Sequence, residues 1–132
     1  MIYDGNPTIA DLEIIDQYLA SRVPYLKNSY LDVKARLAGG ATVIIEMQVL
    51  NVESFAKRVV YNTAKTYSRQ LIRGEDYFKL KPVIVKSITG FKMFDNDPEV
   101  ISHFAFKEKK RLFDYVDPEI ELICIELPKF NK

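Results

Sequence analysis

Between Tyr30 and Leu37 the chain alternates strictly. Leu31, Val33, Ala35 and Leu37 fall on one side, and Tyr30, Asp32, Lys34 and Arg36 on the other. A period of two marks a half-buried strand. Gly39-Gly40 signals a turn, and Thr42 to Leu50 supplies a second run. There Val43, Ile45, Met47 and Val49 oppose Ile44, Glu46 and Gln48. The two runs predict an antiparallel hairpin, with both apolar rows facing one core. A two-residue loop would set Asp32 opposite Met47 and mix the faces. A three-residue loop with a glycine bulge sets Asp32 opposite Glu46 or Gln48 instead. Either register gathers Asp32, Glu46 and Gln48 on one polar face.

Beyond the hairpin, Asn51 is the predicted N-cap of a helix from Val52 to Arg73, with Gly74 as its C′ residue. Val52, Phe55, Ala56, Val59, Val60, Ala64, Tyr67 and Leu71 form its apolar stripe. Arg58, Lys65, Arg69 and Arg73 share a separate face at spacings of 7, 4 and 4. Further strands are expected at Leu12–Ile15, Val83–Ile88, Ile101–Phe106 and Ile120–Leu127, with turns at Thr89-Gly90, Asp95–Pro98 and Glu108–Arg111. Residues 20–29 read as a loop. The order of strands, helix and strands predicts an α/β sheet with helical cover.

At 132 residues the chain is one domain by size. Hydrophobic residues make up 48% and charged residues 28%, which excludes disordered and collagen-like classes. No apolar run reaches the roughly 18 residues of a membrane span, and no signal peptide is evident. The single Cys124 cannot form an internal disulfide, and with one histidine, His103, it cannot build a zinc site. Cys124 is expected as a small buried hydrophobe, His103 as a hydrogen-bonded edge residue, and the setting as reducing and cytoplasmic.

Net charge is +1, but residues 57–92 hold 9 basic and 2 acidic residues between acidic flanks. Such a centre is either a polyanion footprint or a solvated helix face with strand-edge lysines. The acidic pair has two readings as well. Asp32 and Glu46 can hold a hard cation such as Mg²⁺, leaving positions for a phosphate, and Gln48 can orient a water. Alternatively they are solvated, or pair with Lys34 and Arg36 for under about 1 kcal/mol.

The wider pattern narrows these choices. Leu31-Asp32-Val33-Lys34-Ala35-Arg36, a glycine turn and Ile45-Glu46-Met47-Gln48 resemble the PD-(D/E)XK nuclease superfamily, and within it the transposase-related, recombination-promoting nucleases. Phe55-Ala56-Lys57-Arg58-Val59-Val60-Tyr61, Leu71-Ile72-Arg73-Gly74-Glu75-Asp76-Tyr77, Lys81-Pro82-Val83-Ile84 and Glu126-Leu127-Pro128-Lys129-Phe130 extend the likeness from about Ile9 to the C-terminus. The resemblance implies a restriction-endonuclease-like mixed sheet with a long helix after the active-site hairpin. It implies a DNA endonuclease using Mg²⁺, or Mn²⁺ in its place. Asp32 and Glu46 would be metal ligands, with the Met47 carbonyl as a further one. Gln48 would stand where the superfamily usually has lysine. Arg58, Lys65, Arg69 and Arg73 would lie near the phosphate backbone, with Arg58 and Tyr61 close to the site.

Three departures accompany the likeness. Leu31 replaces the motif proline. An acid-bearing helix is expected upstream, and Glu13 and Asp16 are poor substitutes for it. A helical region usually follows Phe130. The expectation is therefore a single domain over 1–132, truncated at both ends. Its alternatives are an inactive DNA-binding or dimerising remnant, or a plain interaction domain. Apolar surface left bare by truncation would favour a homodimer under any of these.

Overall fold

The structure is a computed structural model that describes residues 9–15, 30–51 and 53–130. Strand β1 (Ile9–Ile15) leads, then β2 (Tyr30–Leu37) and β3 (Thr42–Gln48). Helix α1 (Phe55–Ser68) follows, then β4 (Val83–Thr89), β5 (Ile101–Phe104) and β6 (Ile120–Glu126). They form one six-stranded sheet in the order β1-β2-β3-β4-β6-β5. The first three strands run antiparallel, β3, β4 and β6 run parallel, and β5 closes one edge antiparallel to β6. Parallel neighbours need a crossover, and α1 is the one between β3 and β4.

The hairpin closes through Ala38-Gly39-Gly40. The Leu37 N–H donates to the Ala41 carbonyl at 2.8 Å, and the Gly40 N–H to the Leu37 carbonyl at 2.9 Å. Gly40 takes φ +100°, which only glycine adopts without strain. The register then sets Asp32 opposite Glu46, Lys34 opposite Ile44 and Arg36 opposite Thr42. Across β1, Glu13 stands opposite Lys34 and Asp11 opposite Arg36. Asp16 and the expected loop at 20–29 lie outside the described residues.

The expectation of a single core under the alternating apolar rows is corrected. The larger core lies on the other side of the hairpin, where α1 lays Phe55 and Val59 onto Ile44, Val83 and Val85. Phe91 meets Phe55 edge-on, with ring centroids 5.7 Å apart. Burying Phe55 and Val59 contributes about 1.5–3 kcal/mol each. Leu37, Val43 and Ile84 form a second cluster on the opposite face. β4 is buried on both sides, as a central parallel strand must be, and opens with the apolar run Val83-Ile84-Val85 without alternation.

The helix is also shorter than its periodicity suggests. It begins after Ser54 rather than Asn51 and ends at Ser68, with Arg69 as C-cap. Val52 lies outside the described residues, and Gly74 belongs to a later turn at φ +90°. The early stop has a tertiary cause. The Gln70 side chain donates to the Lys81 carbonyl and accepts from the Lys81 N–H, both at 2.8 Å, and so ties the chain to the entry of β4. The buried stripe is Phe55, Val59 and Thr63, at strict i+4 spacing, while Val60 and Ala64 are exposed. Thr63 is tolerated there because its hydroxyl donates to the Val59 carbonyl at 2.6 Å.

β5 and β6 each end earlier than expected, at Phe104 and Glu126. His103 on the edge strand contacts Glu121 through Nε2.

Candidate active site

Side chains alternate along a strand, so Asp32, Glu46 and Gln48 all project to the face that α1 covers. They are 7%, 2% and 1% exposed. This end of the hairpin's polar face is thus enclosed, while Arg36, further along β2, is exposed. Parallel register continues the row: Glu46 lies beside Ser87, which lies beside Cys124, and Gln48 beside Thr89 and then Glu126. All six of these side chains are buried. Polar groups therefore collect at the carboxyl ends of the three parallel strands, where open α/β sheets hold ligands.

Asp32 and Glu46 are direct cross-strand partners. Oδ1 of Asp32 and Oε2 of Glu46 are buried and accept no hydrogen bond, although each residue has other interactions. Their donor set, oxygen-rich and hard, fits a cation of the Mg²⁺ class. Among the described residues no group of three or more His, Cys, Asp or Glu is placed to hold a metal ion. Met47 sits between Glu46 and Gln48 with its side chain on the opposite face, 40% exposed. Its side chain is therefore no part of that pair's surroundings.

Gln48 is held at both ends of its amide. Arg58 Nη2 donates to Oε1 at 2.8 Å, and Nε2 donates to the Leu50 carbonyl at 2.9 Å. One N–H and one lone pair of the amide remain for a ligand. The Arg58 guanidinium also lies over the Phe55 ring, 5.1 Å from its centroid. Gly90 approaches from β4 and donates its N–H to the Gln48 carbonyl at 2.9 Å. A Cβ there would come 2.9 Å from the Val49 carbonyl oxygen, so only glycine allows the contact.

Of the four expected basic residues, Arg58, Lys65 and Arg69 keep the spacing of one helix face but meet different surroundings. Arg58 points to Gln48. Lys65 and Arg69 join Lys34 and Arg36 at a groove of about 220 Å³. Arg73 lies beyond the helix and is exposed. Tyr61 is exposed too, with the Lys65 ammonium 5.3 Å from its ring centroid.

Glu126 and Lys129, which belong to a matching segment but carry no evident chemistry, have a structural role. Glu126 Oε2 accepts from the N–H groups of Met93 and Phe94 at 2.7 and 3.0 Å. Lys129 Nζ donates to Glu126 Oε1 at 2.9 Å and to the Phe94 carbonyl at 2.7 Å. This enclosed pair anchors the loop that carries Phe91. No local pattern signals it, because Glu126 reaches a loop more than thirty residues away. Cys124, the expected buried thiol, is pushed up to about 11 by burial first and then by the charges of Glu126 and Glu46. It is inert as a nucleophile at neutral pH.

A mixed sheet, an acid–hairpin–acid unit at the carboxyl end of its first parallel strand, and a crossover helix over that unit define the restriction-endonuclease-like class of α/β domains. The chain matches the PD-(D/E)XK nuclease family transposase family across residues 1–132 and belongs to it. No match is found among curated proteins or among solved structures. No helix of the described residues is long and apolar enough to cross a membrane.

Proposed function

We propose that the protein is a Mg²⁺-dependent DNA endonuclease, with Mn²⁺ as a substitute ion, that hydrolyses phosphodiester bonds in the course of DNA recombination. The observation that carries this reading is the direct opposition of Asp32 and Glu46 on the enclosed face. Asp32, Glu46 and the Met47 carbonyl would hold the ion. When bound, such an ion lowers the pKa of a water and offsets charge developing on phosphorus. The free N–H of Gln48 orients the attacking water. Arg58 fixes the Gln48 amide. Lys65, Arg69 and Arg73 add sequence-independent affinity for the DNA backbone.

Incubation with supercoiled plasmid tests the proposal. Nicked and linear products are expected with Mg²⁺ or Mn²⁺ and none with EDTA. Cutting that persists in EDTA would exclude this site.

A second reading is an inactive DNA-binding remnant. It is favoured by the burial of Asp32 and Glu46, at 7% and 2% exposure, on the face that α1 covers. DNA binding with no cutting under any divalent ion would select it.

Either reading includes a homodimer. An apolar groove of about 310 Å³ opens between α1 and the β5 edge, lined by Val60, Ala64, Phe104, Phe106 and Leu122 among others. Exposed apolar surface of this kind favours association. Sedimentation is expected to give twice the chain mass, and a single-chain mass at micromolar concentration would exclude the dimer.

A further inference from the structure

We propose that the groove between the C-terminal half of α1 and strands β2 and β3 is a phosphate subsite, which takes the DNA backbone flanking the Asp32–Glu46 pair. The inference rests on DNA being the substrate. It goes further by fixing where the strand runs. Lys34, Arg36, Lys65 and Arg69 converge on the groove, with the hydroxyl residues Thr42 and Thr66 between them.

Two elements supply the charge, and this separates a ligand site from ordinary helix capping. Cations near a helix C-terminus interact favourably with its dipole, which accounts for Lys65 and Arg69. It does not account for Lys34 and Arg36, which arrive from a strand. Lys34 shares a face with Asp32 and lies about 7 Å further along β2, and Arg36 about 13 Å. A backbone with one phosphate at the acidic pair would lay its neighbours along this row. Threonine hydroxyls donate to phosphate oxygens and add no sequence preference. Arg36 has partners within the fold. Lys34 stands opposite Glu13 in the β1 register, so Lys65 and Arg69 are expected to contribute most.

The test is fluorescence anisotropy with a labelled DNA duplex of about 20 base pairs, in EDTA so that no cutting intervenes. Each phosphate contact contributes about 0.9 to the slope of log affinity against log salt. Combined Lys34→Ala, Lys65→Ala and Arg69→Ala is expected to flatten the slope by roughly 2–3 and to weaken binding at least about tenfold at low salt. The charge-matched Lys107→Ala, Lys109→Ala, Lys110→Ala protein, altered in an exposed turn, should bind like wild type. Lys65→Arg with Arg69→Lys should retain both affinity and slope. If the triple variant unfolds, single Lys65→Gln and Arg69→Gln changes should each flatten the slope by about 0.9. Loss no greater than in the charge-matched control overturns the subsite. A protein that cuts while its groove variants bind normally sinks the subsite alone. One that binds through the groove and never cuts sinks the nuclease reading alone. One that does not bind the duplex sinks both.

Discussion

Glu126→Ala is expected to lower folding stability by about 3–5 kcal/mol, the range for breaking a buried ion pair from one side. Both partners are enclosed, Glu126 at 0% and Lys129 at 3% exposure. The substitution removes the acceptor for two backbone N–H groups and leaves the Lys129 ammonium without its carboxylate. Each stranded donor costs about 1–3 kcal/mol. Glu126→Gln keeps an acceptor for Met93 and Phe94 and should cost less. Pairing Glu126→Gln with Lys129→Met should recover part of the loss, because an uncharged pair needs no compensation. Urea denaturation of the three variants measures this directly. A loss below about 1 kcal/mol for Glu126→Ala would mean that water reaches the pair.

The second large effect concerns chemistry. Asp32→Ala and Glu46→Ala are each expected to reduce plasmid cutting at least about a thousandfold. A bound ion supplies several kcal/mol of charge stabilisation, and about 4 kcal/mol corresponds to that factor. Affinity for duplex DNA in EDTA should stay within about twofold, because the backbone contacts lie elsewhere. Mg²⁺ should raise the melting temperature of the wild type and not of either variant, since a ligand stabilises only the state that binds it. Retained cutting in either variant would reject the pair as the metal site.

The hairpin was legible because two independent constraints agree on it. Period-two alternation located the strands, and the demand that opposed residues share a face left a three-residue turn. That set Asp32 against Glu46 or Gln48, and the backbone selected Glu46. Burial was read less well. Alternation distinguishes two faces but not which one is covered, and this sheet is packed on both. The helix end was overrun because Leu71 continues the periodicity, whereas the stop comes from Gln70 gripping Lys81. Grouping Arg73 with Arg58, Lys65 and Arg69 on one helix face failed for a related reason. Spacing places residues around a helix, yet Gln48 draws Arg58 away and the helix ends before Arg73.

From Asp32 to Arg58 the chain delivers every reactive group of the proposed centre within one unbroken hairpin-and-helix unit. Its enclosure comes from far later, through Gly90 beneath Gln48 and through Glu126 pinning the loop behind Phe55. Hairpins and helices form in microseconds, while distant parallel pairings wait on slow closure of the intervening chain. Hairpin and helix are therefore local units, whereas the Gly90 and Glu126 contacts that fix Gln48 and the Phe91 loop wait on the later strands.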